Sequence, residues 1–309
     1  GWGGRAPPHP PAPGGVGGSP AVSSAPAGDV LRGVTVTSDL PVMLRGQGRS
    51  FVSITGSSGY VFPASLRGGL LGNPWDAALI ETGFDTALTT ANPGAPPGYP
   101  YAGQVGKAFL DATNSFGNNG TLPARTPSVP YPGDASYPVR RLDGSALSSS
   151  LSRQLKLVAQ MIANGIDAEE LFARLGGWDT HANQATDHPN LMRTLGGSIS
   201  AFYDDLASIG TASGNAQERT LVLAWSEFGR RVQQNDNGTD HGTAGLAFCV
   251  GRGVNGGFYG AYPNLADLDG NGNMKFTVDF RSLYATVLER WLGLSAAATD
   301  ALLLQGASM

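Results

Sequence analysis

Cysteine is nearly absent from this sequence. Cys249 stands alone among 309 residues, which excludes an internal disulfide and any multi-cysteine zinc or iron–sulfur site. It lies in the apolar run GLAFCVG (245–251) and reads as a core residue. Long apolar runs are lacking too: nothing approaches the roughly 18 residues that mark a membrane-spanning helix. Positive charge is not in excess either, with 20 Lys and Arg against 24 Asp and Glu, a formal net charge of −4 and a pI near 5.5. That balance offers no basic footprint for a phosphate backbone, so nucleic acid is not an expected partner. What is present is a 41% hydrophobic content, enough for one large domain or two ordinary ones.

Along the chain, residues 1–28 are rich in Gly, Pro, Ala and Ser, a composition with too little apolar surface to offset its ordering entropy. They are expected to form a mobile linker in which His9 is solvated, and residues 29–309 to carry the folded part. The opening GWGGRAPPHPPAPGG resembles the interior of a longer protein, which would place any export signal upstream. RSFVSITG (49–56) suits a short strand, and residues 91–138 hold long Pro-rich loops that either cover a site or simply connect elements.

From Ser148 the pattern becomes regular. Leu151, Leu155, Val158 and Ile162, followed by Gly165, predict an amphipathic helix, and ELFARLGG (170–177) a buried strand. Pro189 is expected in the first turn of a second helix that carries Leu191, Leu195, Ile199, Phe202, Leu206 and Ile209 and closes at Gly210. TLVLAW (220–225) and GLAFCVG read as further strands, and the alternation of strand and helix argues for a mostly parallel sheet. Leu283, Val287 and Trp291, with Tyr284, Leu288 and Leu292 between them, predict a C-terminal helix capped by Asp279.

Three of the four histidines fall between Leu175 and Gly242, in GGWDTHANQ (176–184), at His188, and in GTDHGTAG (238–245). Ligands of α/β sheets gather beyond the carboxyl ends of strands, where both motifs are expected. Asp179 and His181 are two apart, so in extended chain they point the same way and can reach one cation. A carboxylate with an imidazole suits zinc or manganese more than magnesium or calcium, although an ordinary hydrogen-bonded pair fits the spacing equally well. His241, preceded by Asp240, adds further candidates, and Glu227 in WSEFGRR (225–231) is another. Arg230 and Arg231 offer guanidinium forks to a phosphate or sulfate oxyanion, or form a salt bridge with Glu227 that fixes the loop. His188, beside Pro189, fits a helix N-terminus instead. DLDGNGN (267–273) mimics half a calcium loop, but Val278 stands where the bidentate glutamate belongs, so a tight turn is the better account.

GGWDTHANQ, WSEFGRR, GTDHGTAG, GRGVNGGFYGAYPNL (251–265) and DFRSLYATVLERWLG (279–293) resemble the bacterial domain of unknown function 1501 family, a branch of the alkaline phosphatase and sulfatase superfamily. The likeness is strong over 148–293 and looser over 29–147, where DLPVMLRGQ (39–47) carries it. The resemblance implies a three-layer α/β/α fold with a mostly parallel central sheet. It also implies a metal-dependent site in which Asp179, His181 and His241 hold one ion. The second ion's Asp–His pair is represented by Glu227 and Phe228, and since phenylalanine binds no metal, Asp240 is the candidate to compensate. The superfamily's nucleophile comes from an N-terminal strand expected upstream, so none is named. The expectation for the full-length protein is a hydrolase of small-molecule or glycan phosphate or sulfate esters. The alternative is an exported binding or scaffold protein without turnover, and a phosphotransferring mutase is a third reading. The resemblance implies a periplasmic or extracellular location through an upstream signal, and a cytoplasmic one without it.

Overall fold

The computed structural model describes residues 33–38, 52–57, 121–166, 168–212 and 214–304. The linker expected at 1–28, DLPVMLRGQ and the first of the Pro-rich stretches lie outside them. The chain divides into two compact units, one formed by residues 25–134 and 148–175 and the other by 1–24, 135–147 and 176–309. Together the described residues form a mixed α/β protein.

In the unit that includes 148–175, strands β1 (Gly33–Thr35), β2 (Val52–Ser53) and β3 (Glu170–Phe172) make a parallel sheet in the order β2-β1-β3. Val34 of the central strand pairs with both Val52 and Leu171 and is fully buried, as a strand flanked on both sides should be. Helix α1 (Ser150–Ala163) buries Leu151, Leu155 and Val158, the face its periodicity predicts. It ends where Gly165 takes φ 74°, with Gly165 N–H donating to Ile162 O and Ile166 N–H to Met161 O. That double closure satisfies two orphan carbonyls.

Residues 121–134 run without helix or strand, yet they are anchored, because Tyr131 is fully buried and Leu122 nearly so. Asp134 accepts from the Tyr131 N–H at 2.9 Å and from the Lys156 ammonium at 2.6 Å. Burial works against its charged form, but these donors outweigh it and hold the carboxyl below its usual range.

The other unit begins its regular structure with α2 (Gln184–Leu206). The helix starts five residues before Pro189, not at it. Asn183, with φ 55°, turns the chain, and its carbonyl accepts the N–H groups of Thr186 and Asp187. The first turn is also tied from outside, since Gln184 N–H donates to Asn237 O. With that turn secured, the helix tolerates the one bond that Pro189 cannot donate. Its most buried stripe is polar and small, Asn190, Thr194 and Ser198, before Ala201, Phe202 and Leu206 take over.

Strands β4 (Gly210–Thr211) and β5 (Gly214–Asn215) pair antiparallel, and a short 3₁₀ turn (Ala216–Arg219) leads to β6 (Val222–Ala224). β7 (Gly229–Asn235) and β8 (Gly238–Gly242) form a hairpin, and β9 (Phe248–Val250) returns beside β6. Among the described residues the three-stranded sheet is parallel and the two-stranded ones are antiparallel, so the expectation of parallel strands holds for β1, β2 and β3 and not for β6 and β9. β6 and β9 pair antiparallel because the chain between them folds back as a hairpin, and a parallel return needs a crossover. Cys249 on β9 is half-buried, and burial pushes its thiol pKa up.

Helix α3 (Phe280–Arg290) is capped as its sequence predicts, with the Asp279 carboxylate accepting the Arg281 N–H at 2.9 Å. Helix α4 (Ala296–Leu304) follows. No helix among the described residues is long and apolar enough to cross a membrane.

Candidate metal centre

The site is built where the WDTH segment lies on the β7–β8 hairpin. Thr180 is buried and separates Asp179 from His181, whose side chains stay exposed and turn toward each other. The hairpin turns tightly at Asp236 and Asn237, with Asp236 at φ 35° and Asn235 paired to Gly238. Its register sets Arg230 opposite His241 and Gln234 opposite Thr239. Between those pairs β7 spends residues 231–233 against Asp240 alone, a bulge that bends the strand. The neighbours Asp240 and His241 both meet His181, the first at 3.2 Å from its Nδ1 and the second with its ring centroid 5.0 Å away.

One carboxylate oxygen is the hub. Asp179 Oδ1 lies 2.6 Å from His241 Nε2, 3.0 Å from His181 Nε2 and 3.6 Å from Arg230 Nη2. The hydrogen bond from His241 lowers the Asp179 pKa against a desolvation cost, and the charges of His181, His241 and Arg230 add to the lowering. One ligand atom from each of Asp179, His181 and His241 falls within 4.8 Å of the others. Two imidazoles and a carboxylate are a zinc-type donor set, and ligands around a tetrahedral zinc sit roughly 3.3 Å apart. The spacings from Asp179 Oδ1 are 2.6 and 3.0 Å, shorter than that, and all three donor atoms lie within 4.8 Å of one another.

The other candidates from the sequence are placed differently from these three. Asp240 lies across the His181 ring from Asp179, its Oδ1 at 3.2 Å from His181 Nδ1. Glu227 is exposed and outside the three-residue group. Arg230 spends its guanidinium on the backbone, donating to the carbonyls of Trp178 and Thr239, and so clamps the WDTH segment to the hairpin. Arg231 lowers the Asp269 carboxyl pKa, behind the larger effects of the Asn273 and Asn271 hydrogen bonds, and its Nε is buried with no hydrogen-bond partner. His188 packs edge-on to Trp178, with ring centroids 5.5 Å apart. The calcium-like stretch closes on itself: Asp269 accepts from Asn271 and Asn273, Asp267 meets Lys275, and Leu268 bridges Met274.

Two participants were not singled out as such from the sequence. Phe228 stacks face to face on His241, with centroids 3.8 Å apart and planes 7° from parallel, and Arg230 Cζ lies 5.0 Å from the same ring. Its position two residues before Arg230 on a strand-like stretch was the available signal. Gly238 is buried, and a Cβ there would stand 2.2 Å from His181 O and 2.4 Å from Thr180 O. Only glycine lets the WDTH backbone approach so closely. Beside the cluster lies an open cavity of about 420 Å³ lined by Gln184, Ala185, His188, Pro189, Val232 and Thr239 among others.

Residues 143–303, which include every residue of this cluster, match the family described as "Protein of unknown function (DUF1501)". No curated protein and no solved structure matches the chain.

Proposed function

The chain belongs to the DUF1501 family of proteins of unknown function, and from that premise and the cluster on the hairpin we propose that the full-length protein is a metal-dependent hydrolase of phosphate or sulfate esters. The observation that carries the reading is the convergence of Asp179 Oδ1, His181 Nε2 and His241 Nε2 from segments some 60 residues apart in sequence. An alkaline-phosphatase-like three-layer arrangement belongs to the same reading.

A zinc or manganese ion, when bound, supplies a Lewis acid that polarises an ester oxygen and acidifies the attacking water or hydroxyl. The rest falls to the chain's own residues. Asp179 Oδ1, His181 Nε2 and His241 Nε2 would hold the ion, the carboxylate as its anionic donor. Arg230 keeps the donors in register by holding Trp178 O and Thr239 O. Phe228 covers one face of His241 and keeps that side dry. The neighbouring cavity, lined by side chains such as Ala185, Pro189 and Val232 together with Gln184 and Thr239, would take the alcohol part of an ester through apolar contact and a few hydrogen bonds.

The test is the metal content of the purified protein by inductively coupled plasma mass spectrometry after zinc or manganese loading, beside Asp179→Asn. About one equivalent, lost in the variant, is expected. Metal-loaded protein should then cleave p-nitrophenyl phosphate or sulfate. Failure to retain either metal overturns the proposal. A second reading, an exported binding protein without turnover, is favoured by the exposed aromatics Phe258 and Tyr262, 96% and 87% accessible. Metal binding without cleavage of either ester class would select it.

A further inference from the structure

We propose that Asp240 is a positioning residue that sets the tautomer and the aim of His181, and is not a ligand. The inference rests on the metal-centre reading. The two nitrogens of His181 face different carboxylates, Nε2 at 3.0 Å from Asp179 Oδ1 and Nδ1 at 3.2 Å from Asp240 Oδ1. An imidazole that donates its Nε2 lone pair to an ion must carry its proton on Nδ1, and an acceptor opposite Nδ1 favours that tautomer. Such an acceptor also fixes the ring's rotation and raises the basicity of the donor nitrogen. Asp240 meets both conditions from the side of the ring that the ion would not occupy.

Asp240 is itself held. Asn235 donates its side-chain N–H to Asp240 Oδ1, and Asn235 pairs with Gly238 at the mouth of the two-residue turn. Asp240 itself sits on β8 between Thr239 and His241, opposite the bulged residues 231–233 of β7. The turn, the amide, the carboxylate and the ring are therefore linked in sequence from the rigid end of the hairpin to the donor atom. His241 is oriented by a different device, the face-to-face stack on Phe228, and its ring lies 5.0 Å from that of His181. Each imidazole has its own support, so removing Asp240 should disturb one donor and leave the other two.

The experiment is competition of zinc against a chelator for the full chain, Asp240→Asn, Asp240→Glu and Asp179→Asn, with cobalt(II) absorption as a second readout. Asp240→Asn should bind one equivalent with affinity lowered about 10- to 100-fold and an unchanged cobalt spectrum, while Asp240→Glu recovers part of the loss. Asp179→Asn should lose binding or change the spectrum. If Asp240→Asn misfolds, as thermal melting of the metal-free protein would reveal, Asn235→Ala tests the same link. It frees the carboxylate without removing it and should weaken zinc by a smaller factor. Wild-type affinity in Asp240→Asn, or in Asn235→Ala where that variant stands in, overturns this proposal and leaves the metal centre standing. A cobalt spectrum altered in the manner of Asp179→Asn makes Asp240 a ligand and also overturns it. No zinc binding by the wild-type chain removes the metal centre and this inference together.

Discussion

Gly238→Ala tests whether the WDTH segment is seated on the hairpin as described. The added Cβ would stand 2.2 Å from His181 O and 2.4 Å from Thr180 O, short of ordinary contact by about 1.2 Å. Both neighbours are backbone atoms, so no side chain can swing aside, and the segment itself has to lift. A lift of that size carries His181 Nδ1 out of reach of Asp240, now at 3.2 Å, and strains the carbonyl grip of Arg230. Overpacking of this kind costs about 1–3 kcal/mol. The alanine recovers about 0.4–1 kcal/mol by restricting the unfolded chain, which reduces the loss without reversing it. The melting temperature should therefore fall by several degrees, and zinc affinity by about tenfold or more as the donors lose register. Gly256→Ala is the control, because a Cβ there meets nothing within 4 Å. Differential scanning calorimetry with zinc titration on both variants decides the matter. A Gly238→Ala protein that melts with the wild type and binds zinc as tightly would refute the close approach.

Arg230→Lys keeps the charge but cannot fork two carbonyls, so one of the bonds to Trp178 O and Thr239 O is lost, at a cost of about 1.5–3 kcal/mol in denaturant melts. A lysine variant as stable as the wild type would show that the clamp is not the residue's role. Asp279, whose pKa falls to about 2 through its hydrogen bonds with the Arg281 side chain and N–H, stabilises the start of α3 only while ionised. Its contribution is whole above an unfolded pKa of about 3.9 and fades as pH drops toward 2. The melting-temperature gap between wild type and Asp279→Ala should narrow over that interval. A gap independent of pH from 6 to 2 would rule out the ionised cap.

What the sequence disclosed was local. The apolar spacing of α1, the glycine that ends it, the Asp279 cap and the two-residue spacing of Asp179 and His181 are each set within one or two turns of chain, and each was legible. The hairpin was not, because its strands GRRVQQN and GTDHG show no alternation of apolar and polar residues. The signal lies in Asn235-Asp236-Asn237-Gly238, a turn sequence. Pro189 is expected in the first turn of α2 because proline favours that position, whereas the tie from Gln184 to Asn237 that permits an earlier start spans 53 residues. Strand direction failed for the same reason: it depends on the path between β6 and β9, which no short window contains. The roles of Arg230 and Phe228 also depend on partners distant in the chain or brought close only by the bulge.

The hairpin and the WDTH segment differ in how far the chain must search to make them. β7 and β8 meet across a two-residue turn, a local event on the microsecond scale, whereas the Asp179–His241 contact spans 62 residues and encloses all of α2. That difference in separation predicts that His241, Asp240 and Arg230 come together on the hairpin before Asp179 joins them, an order that hydrogen exchange during refolding would read. Thr194 and Ser198, buried in α2, are outside the donor group. The prediction is that a lesion at either one slows completion of the cluster although α2 contributes no donor to it.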